Sequence, residues 1–197
     1  MSYLLGLTGS IGMGKSTTSQ MFRDEGVPVW DADAAVHRLY AQGGAAVGAI
    51  GALCPEAVTG GRVDRAALKD WMARDKSALS KLEAVVHPLV AKDRASFIAD
   101  HADAPLIVLD IPLLFETGSA QAMDGVLVVS VNREEQRRRV LARNTMTEEI
   151  FVSILSRQLP DAEKRAKADF VIETYDMDNT RAEVRKLIET LSEADHA

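Results

Sequence analysis

The strongest constraint on this chain is the segment Gly9-Ser10-Ile11-Gly12-Met13-Gly14-Lys15-Ser16. It follows the apolar run Tyr3 to Leu7 and has the pattern G-x-x-x-x-G-K-[ST], which requires a strand before it and a helix after it. Glycines let the backbone turn tightly, so that successive N–H groups point into one cavity beside the positive end of the helix dipole. The segment therefore predicts a loop that binds the phosphates of a nucleotide.

Two side chains of this loop carry chemistry of their own. Lys15 supplies a mobile positive charge for the β- and γ-phosphates, and the Ser16 hydroxyl can hold Mg²⁺. We expect the phosphates to contact the following residues: Gly9, Gly12, Met13, Gly14, Lys15, Ser16 and Thr17.

Length and composition limit what else the chain can be. It has 197 residues, 47% of them hydrophobic, which suffices for one α/β core with small insertions. The net charge of −6 argues against a general nucleic-acid binder. Cys54 is the only cysteine, so we expect neither an intrachain disulfide nor a zinc framework. No apolar stretch approaches a membrane span, and the N-terminus lacks the features of a signal peptide. We expect a cytoplasmic protein without membrane contact, either a monomer or a small homo-oligomer.

Five short apolar runs predict the strands of the core. They are Tyr3 to Leu7, Val27 to Trp30, Leu106 to Leu109, Val126 to Val131 and Phe170 to Ile172. Several are apolar on both faces and have helical patterns between them, which is typical of a buried parallel sheet. We therefore predict an α/β fold with a five-stranded parallel sheet flanked by helices. In such sheets, ligands bind beyond the carboxyl ends of the strands.

Two intervals depart from the regular alternation of strands and helices. Residues 34–103 predict a helical insertion with a turn at Thr59-Gly60-Gly61 and a helix from Lys76 onward that Pro88 breaks or kinks. Residues 137–157 are rich in arginine and predict a helical lid. The remaining residues, 1–33, 104–136 and 158–197, form the core of a single domain in this interpretation.

Carboxylates follow two of the predicted strands. After the second, a carboxylate of Asp31-Ala32-Asp33 can accept a proton from an attacking hydroxyl or help to order Mg²⁺. The alternative is that Asp33 is only the N-cap of a helix over residues 34–40. Asp110 ends the third strand in the Walker B arrangement, where the carboxylate contacts Mg²⁺ directly or through water. A buried strand can also end in Asp without such a role.

Arginines of the predicted lid are candidates for the transferring phosphate. On a helix, Arg139 and Arg143 are i,i+4 neighbours on one face, and a mobile segment could close them over a triphosphate. The alternative is a solvated surface, and we expect Arg137 or Arg138 to be surface charge of that kind. For His87, the residues alone favour a hydrogen bond near a helix end over a place in a site.

Taken in order, these pieces resemble the dephospho-CoA kinase family over nearly the whole chain. The resemblance is carried by Leu7-Thr8-Gly9-Ser10-Ile11-Gly12-Met13-Gly14-Lys15-Ser16-Thr17, Asp31-Ala32-Asp33, Gly61-Arg62-Val63-Asp64-Arg65 with Leu68, His87-Pro88-Leu89, Asp110-Ile111-Pro112-Leu113-Leu114-Phe115-Glu116, Gln136 with Arg139 and Arg143, Gln158, and Ala168-Asp169-Phe170-Val171-Ile172. The phosphate loop alone is shared by many families, whereas the Asp-Ala-Asp, His-Pro-Leu and Pro-Leu-Leu-Phe-Glu combination is much more restrictive.

The resemblance implies that the chain uses ATP to phosphorylate the ribose 3′-hydroxyl of dephospho-CoA, the last step of coenzyme A synthesis. It implies a nucleotide-kinase-like core, a helical insertion that binds CoA, and a helical lid. Asp33 is then the catalytic base, Lys15 binds the ATP phosphates, and Arg139 acts from the lid together with Arg143. Residues that would contact the acceptor are Asp31, Asp33, His87, Leu113, Phe115 and Glu116, and residues that would hold Mg²⁺, directly or through water, are Ser16 and Asp110.

One segment departs from the family pattern. Family members usually follow the Ala-Asp-x-Val-Ile run with an Asn and a nearby Gly, close to where adenine would lie. Here the run continues Glu173-Thr174-Tyr175-Asp176, so the adenine contacts of the family do not carry over to this segment, and the resemblance supports the reaction class more strongly than the choice of nucleotide.

Two other functions are compatible with a phosphate loop. The first is another small-molecule or nucleoside kinase, which the Arg62–Asp64 and His87-Pro88 pieces disfavour because acceptor specificity lies in the insertion. The second is a GTPase switch, which would require Asp-x-x-Gly after the third strand and an Asn-Lys-x-Asp motif for the base. Here Asp110 is followed by Ile111-Pro112-Leu113, and the sequence contains no Asn-Lys-x-Asp.

Overall fold

The computed structural model describes residues 2–194, with side chains described as far as residue 192. The strands are β1 (Tyr3–Thr8), β2 (Val29–Asp31), β3 (Val58–Thr59), β4 (Arg62–Val63), β5 (Leu106–Asp110), β6 (Gly125–Ser130) and β7 (Phe170–Glu173). The helices are α1 (Lys15–Asp24), α2 (Ala32–Tyr40), α3 (Val47–Leu53), α4 (Arg65–Arg74), α5 (Ala78–Asp100), α6 (Arg133–Leu141), α7 (Glu148–Leu155), α8 (Asp161–Lys167) and α9 (Met177–Ala194). The described chain divides into two compact units, one of residues 2–30 with 101–194 and the other of residues 31–100.

Five strands form the sheet of the first unit, in the order β2-β5-β1-β6-β7. The central strand β1 pairs in parallel with β5, where Leu5 lies opposite Val108, and with β6, where Leu7 lies opposite Leu127. Strand β6 also pairs in parallel with β7. The predicted fold class is confirmed, because each of the five apolar runs forms a strand of this sheet, with bounds shifted by one or two residues.

The central strands of this sheet are buried on both faces. Every residue of β5 and β6 is buried. On one face, Leu5, Val108 and Val129 share a core with Phe22 of α1 and Val184 of α9. Burying one side chain of this kind contributes about 1.5–3 kcal/mol. These contacts fix the end of β1 and the start of α1, and thereby position the loop between them.

The unit of residues 31–100 is helical except for one small hairpin. Helices α2 to α5 enclose an apolar core that includes Leu39, Ile50 and Leu82. Strands β3 and β4 pair antiparallel around Gly60 and Gly61, whose φ angles are 59° and 73°. A two-residue hairpin turn with both φ angles positive favours glycine, so the predicted turn is present and its residue types are explained.

The start of α2 corrects one expectation. The N-cap is Asp31 and not Asp33, because the helix begins at Ala32 and the Asp31 Oδ1 accepts a hydrogen bond from the Ala34 N–H at 2.9 Å. Both aspartates have the side chain that a cap needs, but Asp31 has the extended backbone that goes with it (φ −120°, ψ 120°). Asp33 lies in the first turn of the helix, where a carboxylate interacts favourably with the helix dipole.

Helix α5 decides between the two outcomes expected at Pro88 to the extent that it does not break there, since the helix is continuous from Ala78 to Asp100. Proline removes the hydrogen bond that its own N–H would donate to the preceding turn. The apolar contacts of Leu82 and Val86 on the same helix hold it in its unit and compensate for that loss. Among residues 2–194, no helix combines the length and the apolar character needed to cross a bilayer.

The first unit also buries one complete lysine side chain. Lys164 is 0% exposed, and its Nζ lies 2.9 Å from Oε1 of Glu116, an ion pair whose angles are not those of a hydrogen bond. The Leu159 N–H donates to the same Oε1 at 2.7 Å. Burial acts to raise the pKa of Glu116, but Lys164 and the Leu159 N–H outweigh it, so the pKa lies below its ordinary value. The carboxylate is therefore structural in part.

We predict that removing the Glu116 carboxylate lowers the free energy of unfolding more than removing the Lys164 ammonium does. Glu116→Gln leaves the Lys164 ammonium buried without its counter-ion and should lower the free energy of unfolding by about 2–4 kcal/mol. Lys164→Met removes the buried charge itself and should cost less, about 1 kcal/mol. Urea unfolding followed by circular dichroism measures both. Glu56→Gln, which breaks an exposed pair with Arg74, is the control and should change stability by less than about 0.5 kcal/mol.

The difference in stability between wild type and Glu116→Gln should also change with pH, and the direction of the change can be derived. The folded pKa of Glu116 is lowered, so its contribution is present above the pKa of an unfolded glutamate, about 4.3, and is lost as the pH falls through the folded value. Wild type and Glu116→Gln should therefore converge in stability at acidic pH. A gap that stays constant from neutral to acidic pH would contradict this role for the ion pair.

Candidate active site

The phosphate loop joins β1 to α1 and has a backbone that depends on glycine. Gly12 and Gly14 have φ angles of 81° and 89°, a region that L side chains rarely adopt. A Cβ on Gly14 would lie 2.7 Å from Thr174 Oγ1, and one on Gly12 would lie 2.6 Å from Val140 Cγ2. Gly14 is also the N-cap of α1 and offers no capping side chain. The N–H groups of the first turn of α1 are thus arranged as in an anion site.

Lys15 and Asp110 form an ion pair beneath this loop. Asp110 is 1% exposed at the carboxyl end of β5, and the Lys15 side chain is 17% exposed. Because Leu7 lies opposite Asp110 in the sheet, the end of β5 and the start of the loop are neighbours. The structure therefore brings together the two charged residues that the sequence assigned to phosphate and to metal.

The residues assigned to Mg²⁺ have the ligand chemistry that this ion prefers. Asp110 offers a carboxylate and Ser16 an exposed hydroxyl, both of them oxygen donors. Among residues 2–194, no group of three or more His, Cys, Asp or Glu side chains could hold a metal ion. Mg²⁺ commonly takes one or two protein ligands and completes its shell with water and phosphate oxygens, so Ser16 and Asp110 fit it.

Arg139 is held against the loop by a network of hydrogen bonds. Its Nε donates to Glu135 Oε1 at 2.6 Å, and its Nη1 and Nη2 donate to the Oγ1 and the carbonyl oxygen of Thr174 at 3.1 and 2.6 Å. The Thr174 hydroxyl in turn donates to the Met13 carbonyl oxygen at 2.8 Å. Arg138 and then Arg139 lower the pKa of Glu135 to about 2, so the carboxylate is ionised at neutral pH. Arg139 is a fixed cation beside the loop and not part of a solvated surface.

Arg137 and Arg138 lie on the surface as the sequence predicts, whereas Arg143 differs from the expectation that it shares a helix with Arg139. Arg137 pairs with Glu148 and Arg138 with Glu135, and both arginine side chains are more than half exposed, as expected of surface charge. Arg143 is not on a helix with Arg139, because α6 ends at Leu141 and the Arg143 N–H donates to the Val140 carbonyl in a turn. Both Arg139 and Arg143 nevertheless line the same cavity.

That cavity has a volume of about 270 Å³ and adjoins the phosphate loop. Its lining consists of Gly12, Gly14, Thr17, Thr18, Arg139, Arg143, Thr174, Tyr175, Met177 and Thr180. Thr174 and Tyr175 belong to the segment that departs from the family pattern. The Tyr175 hydroxyl accepts a hydrogen bond from the Asn132 N–H at 2.6 Å. The segment Glu173–Asp176 thus contributes to the lining of the cavity. Its contacts in the structure show this, whereas its sequence does not.

The residues predicted to contact the acceptor are distributed over both units. In the unit of residues 31–100, Asp31 caps α2, Asp33 is exposed in its first turn, and His87 is exposed in the middle of α5, away from either helix end. In the other unit, Leu113 is exposed and Phe115 is half-buried. Gln136, Gln158 and Thr174, which received no role from the sequence, all bind backbone atoms of the phosphate loop.

Comparisons with known proteins identify the family of the chain. The family described as dephospho-CoA kinase matches residues 3–179. The chain is 62% identical to the dephospho-CoA kinase of Jannaschia sp. over 98% of this chain and 99% of that protein. It is 60% identical to that of Cereibacter sphaeroides over 97% and 96%.

Solved structures give the same result at the level of the fold. A protein from Thermus thermophilus superposes with a TM-score of 0.85 at 37% identity, covering 96% of this chain and 97% of that one. The dephospho-CoA kinase from Campylobacter jejuni superposes with a TM-score of 0.73 at 24% identity, covering 99% and 100%. With the family match spanning most of its length, the chain belongs to the dephospho-CoA kinase family.

Proposed function

We propose that this chain, as a dephospho-CoA kinase, transfers the γ-phosphoryl group of MgATP to the ribose 3′-hydroxyl of dephospho-CoA. Family membership gives the reaction class. The observation that carries the proposal for the site is the glycine loop at the start of α1, with Lys15 paired to Asp110 below it. In this proposal the loop amides and Lys15 bind the triphosphate, and the adjoining cavity holds the rest of the nucleotide.

The proposed base is Asp33. Its carboxylate accepts the proton of the 3′-hydroxyl while the hydroxyl oxygen bonds to the γ-phosphorus, and the bond from that phosphorus to the β,γ-bridging oxygen breaks. The products are coenzyme A and ADP. The role is supported by the exposure of the Asp33 side chain and its place in the first turn of α2, directly after β2. Asp31 supports it indirectly by capping that helix.

Ser16 and Asp110 are the proposed residues for Mg²⁺, which when bound neutralises charge on the phosphate oxygens. Arg139 and Arg143 are the proposed cations of a lid formed by residues 137–157, and we expect closure to exclude water that would otherwise take the phosphoryl group. The Nε, Nη1 and Nη2 atoms of Arg139 donate to Glu135, the Thr174 hydroxyl oxygen and the Thr174 carbonyl oxygen, so a phosphate has to compete with these acceptors.

For the acceptor we propose contacts with His87, Leu113, Phe115 and Glu116. The first two are exposed and Phe115 is half-buried, so their side chains are available to a ligand. A contact from Glu116 would be added to those it makes with Lys164 and Leu159. We also propose that the enzyme acts in the cytoplasm. We propose a monomer or a small homo-oligomer, which light scattering would decide.

The activity itself is tested by incubating the protein with ATP, Mg²⁺ and dephospho-CoA and measuring ADP release. We expect ADP to appear in step with a product that carries a new 3′-phosphate. Parallel reactions with adenosine, guanosine, cytidine and uridine as acceptors should give only the background of ATP hydrolysis. A nucleoside that is phosphorylated faster than dephospho-CoA would indicate a different small-molecule kinase.

Asp33→Asn tests the base. We expect kcat to fall by about 10²–10⁴, because the amide cannot accept the hydroxyl proton, while ATP affinity stays nearly unchanged. Asp70→Asn, an exposed aspartate of α4 in the same unit, is the matched control and should retain full kcat. If Asp33→Asn keeps most of its kcat, the base is another group.

Arg139→Ala tests the cation beside the loop. We expect kcat/KM to fall by about 10³–10⁵, the range reported for arginines that stabilise the charge of a transferring phosphate. Arg138→Ala is the control, because Arg138 pairs with the same Glu135 but its side chain is 70% exposed. An unchanged kcat/KM in Arg139→Ala would make Arg139 a structural residue that only holds Thr174.

A further inference from the structure

One residue of the phosphate loop is hydrogen-bonded on both sides by side chains from distant parts of the chain. The Ile11 N–H donates to Gln158 Oε1 at 3.1 Å, across 147 positions of sequence. The Ile11 carbonyl oxygen accepts from Gln136 Nε2 at 2.8 Å, across 125 positions. These two bonds hold the peptide group before Ile11 and the one after it. The second of these peptide groups leads directly into Gly12, where φ becomes positive.

The two glutamines also have a defined relation to the segment 137–157, because Gln136 immediately precedes it and Gln158 immediately follows it. Gln136 is buried within α6, at 5% exposure. Gln158 follows α7, its N–H donates to the Leu155 carbonyl oxygen, and the next residue, Leu159, is bonded to Glu116. Both ends of the segment that carries Arg139 and Arg143 are therefore attached to a single residue of the phosphate loop.

If the two glutamines had a purely structural role, their side-chain amides would only need hydrogen-bond partners, and any backbone group could provide these. Here two separate amides converge on one loop residue, one as acceptor and one as donor, so that both backbone groups of Ile11 are committed. An uncharged amide can fix a backbone group without attracting or repelling phosphate. Such an arrangement suits a loop in which the N–H groups of Gly14, Lys15 and Ser16 have to remain available to an anion, while the Met13 N–H donates to the Ser10 carbonyl oxygen at 3.2 Å.

From this convergence we infer that Gln136 and Gln158 are positioning residues for the nucleotide triphosphate. They fix the Ile11 peptide groups, which sets the direction of the N–H groups from Gly12 onward, and they link that geometry to both ends of the arginine-bearing segment. The inference rests on the proposed function, since it assigns these residues to the ATP side of the same reaction. It adds two groups that act through the loop backbone and do not touch the phosphates.

Gln136→Met and Gln158→Met test this with uncharged side chains of similar length. We expect each to raise the KM for MgATP about five- to tenfold, equivalent to about 1–1.4 kcal/mol, while the KM for dephospho-CoA changes less than about twofold. The double variant should raise it by less than the product of the two single effects, because both bonds hold one residue. Gln121→Met, at an exposed glutamine in the 3-10 turn Ser119–Ala122, is the control and should behave as wild type.

Hydrogen exchange of the Ile11 amide gives a readout that needs no activity. The exchange rate should rise about tenfold or more in Gln158→Met, and Gln158→Glu, which keeps an acceptor oxygen, should restore the protection. Calorimetric binding of inorganic tripolyphosphate should weaken in parallel in both methionine variants. Gln158 is only half-buried, so its variants provide the test if Gln136→Met does not fold.

The inference is overturned if the variants melt at lower temperature while tripolyphosphate affinity and the KM for MgATP stay within about twofold of wild type. That result would leave the glutamines a structural role alone. A wild-type protein that binds tripolyphosphate but does not phosphorylate dephospho-CoA would instead refute the proposed function. The exchange and tripolyphosphate measurements would still decide the role of the two glutamines.

Discussion

The phosphate loop is built from residues that cannot hold it in place by themselves. Gly12 and Gly14 provide the positive φ angles that the turn needs, but they have no side chains with which to resist other conformations. Their positions are fixed by what lies against them, Val140 of α6 on one side and Thr174 after β7 on the other, with no room for a Cβ. The geometry of the active site therefore depends on packing from elements far along the chain.

Much of the fold follows from local sequence patterns because the forces involved are local or periodic. The strands of the sheet are apolar on both faces and were predictable within two residues, since burial in a parallel sheet leaves that pattern. The phosphate loop and its helix were predictable because the pattern G-x-x-x-x-G-K-[ST] lies in one continuous stretch of the sequence. The ends of the elements were harder to predict. At the start of α2, for example, Asp31 and Asp33 have equal capping chemistry, and only the backbone angles decide which of them is the N-cap.

Contacts between distant residues could not be derived in this way. Nothing in the local sequence indicates that Lys164, on a short and highly charged helix, is fully buried against Glu116, or that Gln158 reaches Ile11. The same holds for the segment Glu173–Asp176, which departs from the family pattern. Its Thr174 forms hydrogen bonds with both the phosphate loop and Arg139, and the sequence alone does not indicate this. Such residues are defined by their partners, and a single sequence does not specify partners that lie tens of positions or more away along the chain.

Two cations of the site, Lys15 and Arg139, are paired with carboxylates, in a protein whose net charge is −6. Lys15 is paired with Asp110, and Arg139 with a Glu135 whose pKa is held at about 2, so neither arrangement needs an anionic ligand to keep the side chain ordered. An incoming triphosphate therefore has to share each cation with a carboxylate or replace that carboxylate. The binding energy that it gains at each cation is only the difference between the new cation–phosphate pair and the original cation–carboxylate pair. The additional gain comes from the first turn of α1, whose N–H groups donate to no capping side chain because the N-cap residue is Gly14. We therefore expect the backbone of the loop to contribute more to phosphate affinity than Lys15 does, and we expect the surrounding side chains to act by preserving the conformation of the loop.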